Sequence, residues 1–105
     1  MRFIETPVFT RTVVKLLTDE QYRALQLALL LRPELGAVIR GSGGIRKLRW
    51  SLPGTGKRGG IRVVYFWDES SETFYLLYAY RKSVKDDLTP QQLRVLARLV
   101  REEFG

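Results

Sequence analysis

Ile61-Arg62-Val63-Val64-Tyr65-Phe66-Trp67 is the stretch on which the fold turns. Apart from Arg62 it is wholly β-branched or aromatic, and its apolar side chains fall on both faces, so it reads as a central strand covered on two sides. The polar turn Asp68 to Thr73 follows, and Phe74 to Tyr80 then supplies another apolar and aromatic strand. Upstream, Ile45 to Leu52 alternates, with Leu48, Trp50 and Leu52 on one face and Lys47 and Arg49 on the other. Gly41-Ser42-Gly43-Gly44 reads as a loop before that strand, and Pro53 to Gly60, with four glycines, as the connection after it. The centre of the chain is therefore expected to be a meander of three strands.

The flanks read as helices with explicit start signals. Arg2 to Glu5 suits a short edge strand, and Thr6-Pro7 is an N-cap followed by proline at the first helical position, opening a helix to about Leu17. Phe9, Val13 and Leu16 or Leu17 point to its core side. Thr18-Asp19-Glu20-Gln21 is a capping box that starts a second helix, with Tyr22, Leu25, Leu29 and Leu30 on one face, ending near Pro33 to Gly36. Thr89-Pro90-Gln91-Gln92 is another such box and opens a last helix to about Phe104. Its apolar stripe is Leu93, Leu96, Val100 and Phe104, and Arg94, Arg98 and Arg101 lie on another face. The expected architecture is α+β, one domain over residues 1–105. A twisted, mainly antiparallel sheet carries the N-terminal helical hairpin on one face and is partly open on the other.

Charge and missing residue types narrow the function. The 105 residues carry a formal net charge of +7. Residues 35–67 hold seven basic side chains and no acidic one, namely Arg40, Arg46, Lys47, Arg49, Lys57, Arg58 and Arg62. A segment so unneutralised attracts a polyanion, whereas ordinary surfaces intersperse both signs. With no Cys and no His there is no thiolate, no zinc site built on sulfur or imidazole, and no histidine base. No cofactor and no metal is expected. Met1-Arg2-Phe3-Ile4-Glu5 lacks the apolar core of a signal peptide and no apolar run could span a membrane, so a cytoplasmic protein without membrane attachment is expected. The glycine clusters do not join a strand to a helix N-terminus with Walker spacing, so they are turns or points of close backbone approach rather than a nucleotide loop. Asp19-Glu20 and Asp86-Asp87 precede or open helices and read as charges that favour the helix dipole.

One constellation suggests chemistry. In an antiparallel pair joined by a short turn, Arg62 near the start of one strand lies beside Tyr80, Arg81 and Lys82 at the end of the next. Lys57 and Arg58 in the preceding loop are expected over the same edge. RNA cleavage without histidine requires a base for the ribose hydroxyl, a cation on the phosphorane and an acid for the leaving oxygen. Arg62 is always charged and forks onto two phosphate oxygens, which makes it the clamp. Crowded cations favour proton release from a lysine or tyrosine neighbour, leaving Lys57, Tyr80 or Lys82 as base or acid. Arg46, Lys47, Arg49, Arg58 and Arg81 are the candidates to hold an RNA or ribosomal backbone. The blander alternative is that Tyr80 belongs to the core and the cations only keep the sheet soluble.

The order of elements resembles the RelE/ParE superfamily of bacterial toxins, nearest its HigB branch. The likeness is carried by Gly41 to Arg49, by Gly56-Lys57-Arg58-Gly59-Gly60-Ile61-Arg62-Val63-Val64-Tyr65 and by Phe74-Tyr75-Leu76-Leu77. It implies a toxin of a type II toxin–antitoxin system, a metal-independent endoribonuclease that cuts mRNA in the A site of the 70S ribosome. It also implies a cognate antitoxin, HigA-like and DNA-binding, encoded beside it, through which alone operator DNA is met. In such toxins an arginine of the central strand contacts the scissile phosphate, and Arg62 matches it, while Lys47, Arg49, Lys57 and Arg58 match basic residues around it. The family often carries Tyr-x-Lys-Asn-Glu after the last strand. Here Tyr80-Arg81-Lys82 keeps the Tyr and Lys, and Ser83-Val84 replaces Asn-Glu. Two other functions stay open on this evidence: a ParE-like inhibitor of DNA gyrase, and a basic RNA-binding or ribosome-binding module without catalysis.

Overall fold

The structure, a computed structural model, describes residues 1–52, 60–83 and 87–104, with the side chain of Phe104 left out. The elements are β1 (Arg2–Glu5), α1 (Pro7–Leu16), α2 (Asp19–Leu31), β2 (Ala37–Val38), β3 (Arg46–Trp50), β4 (Ile61–Asp68), β5 (Thr73–Arg81) and α3 (Pro90–Phe104). They form an α+β fold with one open, mixed five-stranded sheet in the order β1-β5-β4-β3-β2. β1 runs parallel to β5 and every other neighbour is antiparallel.

The helix starts form as their sequences dictate. Thr6 accepts a hydrogen bond from the Phe9 amide, and its own hydroxyl donates to the Leu77 carbonyl at 2.8 Å, fastening the entrance of α1 to β5. In the capping box of α2, the Gln21 amide donates to Thr18 and the Thr18 amide to the Gln21 side chain. Thr89 and Gln92 make the same exchange at the start of α3.

Each face of the sheet has its own core. Phe9, Val13 and Leu17, with Leu25 and Leu29 of α2, pack on Leu48, Leu52, Ile61, Val63, Tyr65, Phe74, Leu76 and Ala79. On the opposite face, Ala97 and Val100 of α3 close over Ile45, Val64, Leu77 and Tyr80. That second cover narrows the open face expected from the sequence: α3 lies on the sheet, and only part of the face is free. A register shift between Val64 and Tyr65 makes Leu77 an extra residue in β5. It turns both Leu77 and Tyr78 toward α3 while Leu76 and Ala79 stay with the helical hairpin.

β2 was not expected. Two residues are too few for a periodicity to show, and the strand exists because its neighbourhood pins it. The Tyr65 hydroxyl donates to the Pro33 carbonyl at 2.8 Å and accepts from the Gly36 amide at 2.9 Å. A Cβ on Gly36 would lie 2.9 Å from the Tyr65 ring and 3.1 Å from the Lys47 backbone, so the close approach needs glycine. Among the described residues no helix is long and apolar enough to cross a membrane.

Candidate functional site

Strand alternation and register assemble the site on the α3 face. Arg62 of β4 stands opposite Arg49 of β3 and Tyr80 of β5, so three chemically active side chains lie in one row across the sheet. Lys47 joins them two residues from Arg49 on the same face, opposite Val64. Arg62 is 7% exposed and Tyr80 is 5% exposed, whereas Arg49 is open to solvent. This row, hereafter the cleft, sets a recessed arginine beside the more exposed Arg49 and Lys47.

Like charges directly opposed across two strands repel. Arg49 and Arg62 hold that relation, and the Arg62 guanidinium makes a hydrogen bond, at 3.4 Å, to its neighbouring Ile61 carbonyl. A carbonyl carries no charge to neutralise a buried guanidinium, and the arrangement is suited to an anion bearing several acceptor oxygens. Gly60 borders it: a Cβ there would approach the Trp50 carbonyl to 3.1 Å and Arg62 Nη1 to 3.9 Å.

Two predicted residues sit elsewhere. Arg46 lies opposite Tyr65, on the side of the helical hairpin. Its guanidinium donates to the Gly36 carbonyl at 2.8 Å and stands 3.8 Å from the Glu34 carboxylate. Its visible work is to fasten the approach to β2. Arg81 ends β5 opposite Ile61, exposed and outside the row. Lys82 follows it, exposed, with its amide donating to the Gly60 carbonyl at 3.3 Å, which keeps its backbone beside the residue preceding β4. Lys57, Arg58, Val84 and Asp86 lie outside the described residues.

Asp87, read from the sequence as a charge that favours the helix dipole, has a second contact that the sequence did not reveal: Lys47 Nζ donates to its Oδ1 at 3.0 Å. The same oxygen accepts from the Leu88 amide at 2.8 Å. The Lys47 hydrogen bond, helped by the Leu88 amide and by the charges of Lys47 and Arg62, holds the Asp87 carboxyl below the usual range against its partial burial. Forty residues separate the partners, so no spacing rule could have paired them.

The fold and cleft define a class: a small, strongly basic α+β protein whose central-strand arginine is recessed beside a helix on a mixed sheet. Residues 4–104 match the family model described as the RelE toxin of the RelE/RelB toxin–antitoxin system, and the chain belongs to that toxin family. It is also similar in structure to the E. coli toxin RelE, seen as an arginine-to-alanine double mutant in the free state. The two are 16% identical, with 92% of this chain and 93% of that one covered and a TM-score of 0.60. At that identity the likeness establishes the fold.

Proposed function

We propose that this toxin is a ribosome-dependent endoribonuclease of the HigB branch, cutting translated mRNA in the A site of the 70S ribosome without a metal. The observation that supports it most is the opposed Arg49–Arg62 pair, a like-charge contact that a bridging phosphate relieves. In this reading Arg62 grips two oxygens of the scissile phosphate and stabilises the phosphorane as its charge develops. Tyr80 faces Arg62 across the strand pair and Lys82 borders the same end, so these two, with Lys57, are the candidates to take the proton of the ribose 2′-hydroxyl and to return one to the leaving 5′-oxygen. Arg49 and Lys47 draw the RNA backbone in, and Arg46, Arg58 and Arg81 are peripheral contacts with ribosomal RNA. A cognate antitoxin from the adjacent gene, HigA-like and DNA-binding, holds the toxin silent and alone brings operator DNA to the complex. The protein acts in the cytoplasm, as one domain.

The test is to induce the wild-type chain, Arg62→Ala and Arg62→Lys in bacteria and map mRNA 5′ ends with translation running or blocked. Arg62→Lys keeps the charge and the buried stem but loses the fork, so it separates chemistry from folding. Cuts within translated codons, lost on blocking translation and reduced by about 100-fold or more in both variants, are the expected result. Growth arrest without cuts, persisting in both variants, would instead indicate a gyrase inhibitor. Ribosome binding without arrest would leave a binding module.

A further inference from the structure

Beyond the cations, the cleft holds a carboxylate that the cleavage reading does not use. Asp87 enters from the segment before α3 and takes a 3.0 Å hydrogen bond from Lys47, whose side chain is the less exposed of the two, 26% against 61%. The carboxylate also lies within the field of Arg62. Its second bond, from the Leu88 amide, ties it to the start of α3. A charge of −1 beside Lys47 and within reach of Arg62's field is what one phosphodiester would supply.

We infer that Asp87 is a built-in competitor for the phosphate held by Lys47, so that a nucleic-acid backbone enters the cleft only by displacing it. This rests on the cleavage reading above, since it takes RNA as the ligand of the same cleft. The exchange is anion for anion: the Lys47–Asp87 bond breaks, the carboxylate turns to water, and a phosphate oxygen takes its place on the ammonium. A ligand with one anionic group gains little from this exchange. A chain of phosphates gains, because Arg49 and Arg62 are engaged at once. Asp87 thereby selects for extended backbones over single phosphates and lowers the affinity for both. The opposite role, in which Asp87 orients Lys47 for RNA, predicts the opposite effect of its removal.

The experiment measures binding of a fluorescent single-stranded RNA of about ten nucleotides, and of inorganic phosphate, to wild type, Asp87→Asn, Lys47→Ala and the double variant, at low salt. Asparagine keeps an oxygen for the Leu88 amide, and thermal unfolding verifies that α3 stays docked. Exposed pairs of this kind hold with modest strength, so Asp87→Asn is expected to tighten RNA binding about two- to fivefold. The gain is expected to vanish in the Lys47→Ala background. RNA binding that is unchanged or weaker in Asp87→Asn overturns the inference. So does an equal gain with Lys47 absent, which would mark a general charge effect. If wild type binds RNA in an Arg49-dependent manner and Asp87→Asn has no effect, this inference alone fails. If wild type does not bind free RNA at all, this inference fails as well, while the ribosome-dependent cleavage reading is decided separately by the mapping of mRNA 5′ ends.

Discussion

Arg49 and Arg62 place two permanent positive charges at directly opposed positions of β3 and β4, a contact that opposes folding and, on the proposed function, is relieved by the RNA phosphate. Stability and binding should therefore move in opposite directions at this pair. Arg49→Gln is expected to raise the free energy of unfolding by about 0.2 to 1 kcal/mol while weakening RNA binding, and urea denaturation with the RNA titration reads both. A lower urea midpoint in Arg49→Gln would show that the arginine serves the fold instead. Arg46 makes the contrast. Three residues before Arg49 in sequence, it faces the other side and spends its donors on the Gly36 carbonyl and Glu34. Both are arginines of the same basic stretch, and composition could not separate them. Side-chain alternation in a strand of known register does.

Elements meet at fixed points, and one of them titrates. Glu5 of β1 accepts from Tyr22 of α2 at 2.5 Å and from Thr10 of α1 at 2.7 Å, so one carboxylate gathers three elements at the sheet edge. Burial pushes the Tyr22 phenol well above its ordinary value, and the hydrogen bond to Glu5 and the Glu5 charge push it further. A group raised in the folded state contributes its full stability below the unfolded value, near 10, and loses it as pH rises toward the folded value. Tyr22→Phe is thus expected to cost about 1 kcal/mol at neutral pH. The gap from wild type should close above about pH 10, where the unfolded wild-type chain releases the phenolic proton first. Unfolding midpoints over a pH series check this, and a gap that stayed constant would exclude the bond as the source. The start of every helix was legible in sequence because capping is local: Thr6, Thr18 and Thr89 each bond an amide three residues on. The strand pair β1 with β5 was not, since it joins the chain's beginning to a segment some seventy residues later in parallel register.

At the scale of the molecule the net charge of +7 falls in the middle third of the chain, and the sheet gathers Lys47, Arg49 and Arg62 from it on one face. If they hold an RNA backbone, binding follows counterion release, with a slope of about 0.7 per phosphate for a single strand. The Lys47→Ala, Arg49→Ala double variant is expected to reduce the slope of log K against log salt by roughly 1.4, and a slope unchanged across a salt series would remove those residues from the interface. Much of this protein was determined by its sequence alone. The alternation in β3, the doubly apolar β4, the helix caps and the Arg62–Tyr80 pairing across a short turn are local or nearly local patterns, and the backbone obeys them whatever surrounds it. The tertiary structure decided the rest. It laid α3 across the second face, where Ala97 is small enough to let the helix close on Val64 and Leu77. It also turned Arg46 away from the cleft and carried Asp87 to Lys47. Those outcomes depend on which surfaces meet after the sheet has formed, and a contact between residues forty positions apart leaves no period in the chain that could announce it.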